Sequence, residues 1–124
     1  MTVDAEAQIV RNPNPLMLPP STSVMEAAQQ MHARHVRAVL VVEGGANLVG
    51  IFTERDAISR VLAAGRDPLA TTLADVMTNN PETISPQHSA TEMLSLMKEA
   101  RVRHLPVVEE GKTVGIVVRN DFPE

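Results

Sequence analysis

Residues 23–45, SVMEAAQQMHARHVRAVLVVEGG, and residues 89–111, SATEMLSLMKEARVRHLPVVEEG, are two versions of one stretch. Each opens on Ser with Glu three residues later, the pairing that satisfies free N–H groups at a helix start. Apolar residues then recur at Val24, Ala27, Ala28 and Met31, and at Ala90, Met93, Leu94 and Met97. That i, i+3, i+4, i+7 spacing predicts one buried helix face. Residues 39–42 and 105–108 follow as unbroken apolar runs, which predicts strands covered on both faces.

Working outward, a shift of 66 positions aligns residues 10–45 with 76–111 at 13 identities in 36 positions. A one-residue deletion then matches Val49-Gly50-Ile51 to Val114-Gly115-Ile116, and Asp56 to Asp121. Identities in the same order at the same kinds of position mark a tandem duplication. Asn14-Pro15 and Asn80-Pro81 force an extended opening, followed by short segments at 16–18 and 83–85. Glu43-Gly44-Gly45 and Glu109-Glu110-Gly111 turn the chain into second strands at 48–52 and 113–118. Only the first copy continues into a closing helix, residues 56–64, ended by Gly65. The fold class expected is α/β (α+β): repeat 1 at 10–65, a linker at 66–77, and a truncated repeat 2 at 78–124.

Composition sets the limits. The chain has 124 residues, 44% hydrophobic, which suits one compact domain or two packed half-domains. A formal net charge of −4 argues against nucleic acid as the main partner, since such binding neutralises phosphates with clustered Lys and Arg. With no cysteine there is no disulfide, thiolate metal site or Cys nucleophile. Met1 to Val10 carries Asp4 and Glu6 and no apolar run, unlike a signal peptide, and no stretch matches a membrane span of about 18 apolar residues. A cytoplasmic location is expected. Phe52 and Phe122 are the only aromatics, too few for a base-stacking platform.

These residues resemble the CBS domain, the family named from cystathionine β-synthase and found as tandem pairs. The features are Val76-Met77-Thr78 before the proline, the Ser-x-x-Glu helix starts, Arg103-His104-Leu105-Pro106-Val107-Val108, and Gly50-Ile51-Phe52-Thr53-Glu54-Arg55-Asp56. They cover roughly residues 10–121. The resemblance implies a pseudo-two-fold pair of β-α-β-β-α units with adenosine ligands in the clefts between them: AMP, ADP, ATP, S-adenosylmethionine or NADH. It also implies a homodimer that acts as a free-standing sensor or regulates a separate partner protein, with no obligatory cofactor.

Thr53-x-x-Asp56 is the most informative pair. An ionised Asp accepts at both oxygens and suits a ribose diol, while the Thr hydroxyl sits beside helix-start N–H groups that favour phosphate. The same pair also reads as an N-cap with its N3 partner. Carried over position by position, the resemblance implicates Ile84, Ser85, Ala90, Val102, Arg103 and His104 from the other repeat. Main-chain groups of Ile84 and Val102 would read adenine, Ile51 and Phe52 would supply apolar surface, and Arg103 would pair with phosphate. His104 would assist or stand as a core-edge histidine. The mirror cleft, with Asp121, Arg37 and Met17, is weaker: Val118 replaces the threonine, Pro19 stands opposite Ser85, and the chain ends at Glu124. One good site and one degraded site are expected. The surface lacking a closing helix would be covered by residues 1–9 or a neighbouring subunit.

His32 and His35 lie i, i+3, but read more simply as a solvated basic helix end than as a metal site. No Gly-rich phosphate loop, nucleophile elbow or paired-carboxylate motif appears, so no catalysis is expected. The alternative to nucleotide sensing is a ligand-free dimerisation or interaction module.

Overall fold

A computed structural model describes residues 4–120 and divides the chain into two compact units, Leu16–Pro81 and a second made of residues up to Pro15 joined to those from Glu82 onward.

In the Leu16–Pro81 unit, β2 (Met17–Leu18) pairs in parallel with β3 (Ala38–Glu43), which pairs antiparallel with β4 (Asn47–Thr53). The fourth strand, β5 (Thr78–Asn79), lies antiparallel against β4, giving the order β2-β3-β4-β5. Helix α1 (Val24–Arg34) starts at Ser23, whose Oγ accepts from the Glu26 N–H at 3.1 Å, as the motif predicts. Its Val24, Ala27 and Met31 enter the core with Leu16, Leu18, Val39, Val41 and Phe52; Ala28, expected on that face, is exposed. Residues 38–42 of β3 are all buried, in keeping with their unbroken apolar run. After β4 the chain turns into α2 (Glu54–Asp56) and runs on as a π-helical segment, Ala57–Leu62, which places Val61 in the core. Gly65, at φ +71°, closes this helix by donating its N–H to the Leu62 carbonyl.

The second unit has the strand order β1 (Ile9–Asn12), β7 (Lys112–Arg119), β6 (His104–Glu109). Strand β6 (His104–Glu109) pairs antiparallel with β7 (Lys112–Arg119), and Ile84 bridges Val107 in parallel from the opening stretch of repeat 2. Helix α4 (Ala90–Ala100) is capped by Ser89, and Glu92 returns a bond to the Ser89 N–H at 2.8 Å. That hydrogen bond holds the Glu92 carboxyl below the ordinary range, and the Thr72 N–H does the same for Asp75. The core is Ile9, Ile84, Ala90, Met93, Met97, Leu105 and Val117.

Two segments depart from the sequence expectation. Residues 66–77, expected as a linker, contain α3 (Leu73–Val76), with Leu73 and Val76 buried in the first unit's core. They are stitched to the start of α1 by Val24 N–H to Thr71 O and Leu73 N–H to Thr22 O, both 2.9 Å. The physical reason is that the sheet needs apolar cover that α1 alone does not supply. Conversely, β1 (Ile9–Asn12), preceded by a 3₁₀ turn at Ala5–Gln8, pairs antiparallel with β7, Ile9 opposite Arg119 and Asn12 opposite Ile116. Ile9 and Ala5 therefore cover the second unit's apolar surface, one of the two covers expected. Each repeat's lead-in strand, β1 before Asn14-Pro15 and β5 before Asn80-Pro81, thus joins the sheet of the other repeat.

Glycine makes room for both added strands. A Cβ on Gly50 would lie 2.5 Å from Met77 Sδ and 2.9 Å from the Thr78 carbonyl; one on Gly115 would lie 3.0 Å from the Asn12 carbonyl. Gly50→Ala should therefore destabilise by about 2 kcal/mol, the cost of overpacking against main chain, and Gly115→Ala by less, measured by urea unfolding. Both main helices end on non-glycine residues in the left-handed region, His35 at φ 55° and Arg101 at φ 57°. Glycine at either position should add roughly 0.5–1 kcal/mol, and the two gains should sum because the sites lie in different units. A lower melting temperature for Arg101→Gly would contradict this.

Candidate functional site

The Leu16–Pro81 unit carries Thr53 and Asp56. Thr53 ends β4 and caps α2, its Oγ1 accepting from the Asp56 N–H at 3.2 Å. Asp56 Oδ2 accepts in return from the Thr53 N–H at 2.9 Å and from its hydroxyl at 3.1 Å. The cap reading of this pair is therefore realised. Asp56 Oδ1 is left outside the cap, with Arg60 Nε 3.6 Å away, and the Asp56 side chain retains 14% exposure. A carboxylate so placed offers one oxygen as acceptor while the other serves the backbone.

The neighbouring candidates divide by burial. Phe52 is fully buried among Leu18, Val39 and Val61, so its ring belongs to the core and does not supply ligand surface as expected. Strand alternation explains this: Phe52 shares a face with Gly50, and Ile51, also buried, points to the other. Arg37, assigned to the weaker site, is exposed and faces Glu54 at 3.8 Å. Met17, also assigned there, is partly exposed on β2. Asp121 lies outside the described residues. An open depression of about 590 Å³ is lined by Met17, Pro19, Pro20, Val42, Glu43, Gly44 and Gly45. It shares only Met17 with the candidate residues and sits by the Glu43 end of β3, whereas Thr53 pairs with Ala38 at the other end.

The second unit carries the remaining candidates. Ile84 is buried, and its N–H and carbonyl are committed to Pro106 O at 3.0 Å and Val108 N at 2.8 Å. The Val102 N–H closes α4 on the Met97 carbonyl at 3.0 Å. Both amides are thus paired within the unit's own backbone. Ala90 is buried as the first residue of α4; Arg103 is exposed, with its carbonyl taken by the Arg119 N–H; His104 is half-buried opposite Val118.

Ser85 has a partner that sequence reasoning passed over. Its N–H donates to His88 Nδ1 at 3.0 Å and its Oγ lies 3.1 Å from the same nitrogen, while the Gln87 N–H donates to Oγ at 3.3 Å. Nδ1 accepting an amide proton assigns the imidazole proton to Nε2. A histidine three residues after a serine, just before a helix cap, was the available signal.

Among the described residues no group of three or more His, Asp and Glu side chains is placed to hold a metal ion, and no helix is long and apolar enough to cross a membrane.

Two sheet-and-helix units built from duplicated sequence, one bearing a capped Thr-x-x-Asp helix start, define a class of tandem-repeat modules. The CBS domain family matches residues 7–63 and 73–122. The chain belongs to that family, as a CBS pair. It is 39% identical over 102 residues to the CBS domain-containing protein CBSCBSPB3 of Arabidopsis thaliana, covering 82% of this chain and 18% of that one. The chain thus spans about a fifth of the length of that relative. A CBS-domain signal-transduction protein from Burkholderia ambifaria MC40-6 superposes with a TM-score of 0.81 at 33% identity, over 86% of this chain and 78% of that one. The CBS domain pair of protein MJ0100, in complex with 5′-methylthioadenosine and S-adenosyl-L-methionine, superposes with a TM-score of 0.79 at 25% identity, over 94% and 92%.

Proposed function

We propose that the chain is a non-catalytic regulatory CBS-pair module that binds an adenosine-containing ligand, with Asp56 accepting from the ribose. The observation that carries this is the Thr53–Asp56 arrangement: the cap holds Oδ2, so Oδ1 is presented in fixed geometry without an entropic cost at binding. The adenosine compounds bound by the MJ0100 pair support the ligand class. Isothermal titration with AMP, ADP, ATP, S-adenosylmethionine and NADH tests it: at least one should bind at one site per chain, and two equal sites or none would contradict it.

A second reading, a dimerisation or interaction module, is favoured by one observation. Ile58, Leu62 and Leu69 are 57%, 67% and 71% exposed on the segment that follows α2. Exposed apolar side chains on one segment suit a partner surface. In our reading the partner is a second copy of the chain, and light scattering at micromolar concentration should give twice the mass of one chain.

A further inference from the structure

Asp56 is held by more than its own cap. Arg60, one helical turn on, places Nε 3.6 Å from Asp56 Oδ1. The same guanidinium donates through Nη1 to the main-chain carbonyls of Val76 at 3.1 Å and Met77 at 3.3 Å, where α3 gives way to β5. The Arg60 side chain is 48% exposed, so nothing about core packing requires an arginine there. A guanidinium is planar and its donors leave in fixed directions. With Nη1 engaged on two carbonyls, the direction of the Nε edge is set.

We propose that Arg60 is a positioning residue for ribose recognition: clamped to Val76 and Met77, it holds Asp56 Oδ1 as the acceptor for one ribose hydroxyl. The proposal rests on the reading of Asp56 as the ribose acceptor. Oδ2 already accepts two hydrogen bonds from Thr53, which fills its capacity, so a ribose has Oδ1 to use. The terminal torsion of an aspartate is broad, and the charge of Arg60 on one side of the carboxylate narrows it about the plane that the cap sets.

The test compares adenosine with 2′-deoxyadenosine and 3′-deoxyadenosine, which share the base and lack phosphate. Binding is measured by titration to the full chain, its Arg60→Met and its Arg60→Lys variants. The unsubstituted chain should prefer adenosine to one deoxy compound by about tenfold or more, the effect of one hydrogen bond to a charged group. Arg60→Met should reduce that preference to about threefold or less while leaving the affinity for the deoxy compound within twofold, and Arg60→Lys, which keeps the charge without the planar fork, should restore only part of it. An Arg60→Met variant that keeps the full preference, or that weakens all three compounds equally, overturns the proposal. Failure of the ribose reading has a different signature: the unsubstituted chain binds none of the three, or binds them alike. Melting temperatures within a few degrees for all variants confirm that the fold is retained; Arg60→Lys supplies the comparison if Arg60→Met unfolds.

Discussion

Asp56→Ala should abolish the stabilisation that an adenosine ligand confers. A ligand at 100 times its dissociation constant adds about 2.7 kcal/mol to the folded state. For a chain of this length that is a rise in melting temperature of about 10 °C. The substitution also removes the acceptor for the Thr53 N–H, which costs about 1 kcal/mol whatever the ligand does. Asp56→Asn separates the two effects, because its amide oxygen can still accept from Thr53 while the charge is gone. The expected pattern is a small loss of stability without ligand in Asp56→Ala, almost none in Asp56→Asn, and no ligand-induced rise in either. A full rise in Asp56→Asn would remove the carboxylate from the site. No rise with any of the five ligands in the unsubstituted chain, once copurified ligand is excluded, would leave the exposed Ile58, Leu62 and Leu69 surface as the functional one.

Ile9→Ala should be the most damaging single change near the start of the chain. Ile9 is 7% exposed and packs with Ile84, Ala90, Met93 and Leu105. Truncating a buried isoleucine costs about 2–5 kcal/mol, from lost transfer energy and the cavity left behind. The strand holding it has only four residues to share the loss. Val10, next along β1, is 50% exposed, so Val10→Ala should stay within about 0.5 kcal/mol. Urea unfolding distinguishes them: the midpoint should fall sharply for Ile9→Ala and hardly move for Val10→Ala. Equal effects would mean that β1 is held by backbone pairing alone.

What was legible in the residues follows the range of the forces involved. The Ser23 and Ser89 caps, the α1 and α4 faces and the buried run of β3 are local, and each was readable from its own spacing, whereas in β6 Leu105 and Pro106 are buried and Val107 and Val108 only half-buried. Strand β1 was not, because its signal is four residues long and its partner β7 lies more than 100 positions away. Helix α3 has four residues, too few to show a period, and a neighbouring Asp67-Pro68 gave it the look of a connection. In the site, the Thr53–Asp56 pair was visible because a cap and a ligand acceptor ask for the same residues at the same spacing. Phe52 was misjudged because a strand buried on both faces has no alternation to say which side chains meet the core. His88 was passed over because its spacing from Ser85 becomes a bond only through the turn at Pro86 and Gln87.

The crossed lead-in strands bear on how such a chain can be divided. A cut at the exposed stretch around Gly65 and Arg66 would leave one fragment with β1 but no β7, and another with β5 but no β4. Each fragment would hold the piece that completes the other, so the two should reassemble on mixing as a split protein does, with a dilution-dependent yield that the intact backbone removes by raising effective concentration. The same arithmetic applies to descent. A single unduplicated repeat has a strand with no sheet of its own to join, and two such chains would complete each other by exchange. Fusion of their genes would have turned a concentration-dependent swap into a permanent one.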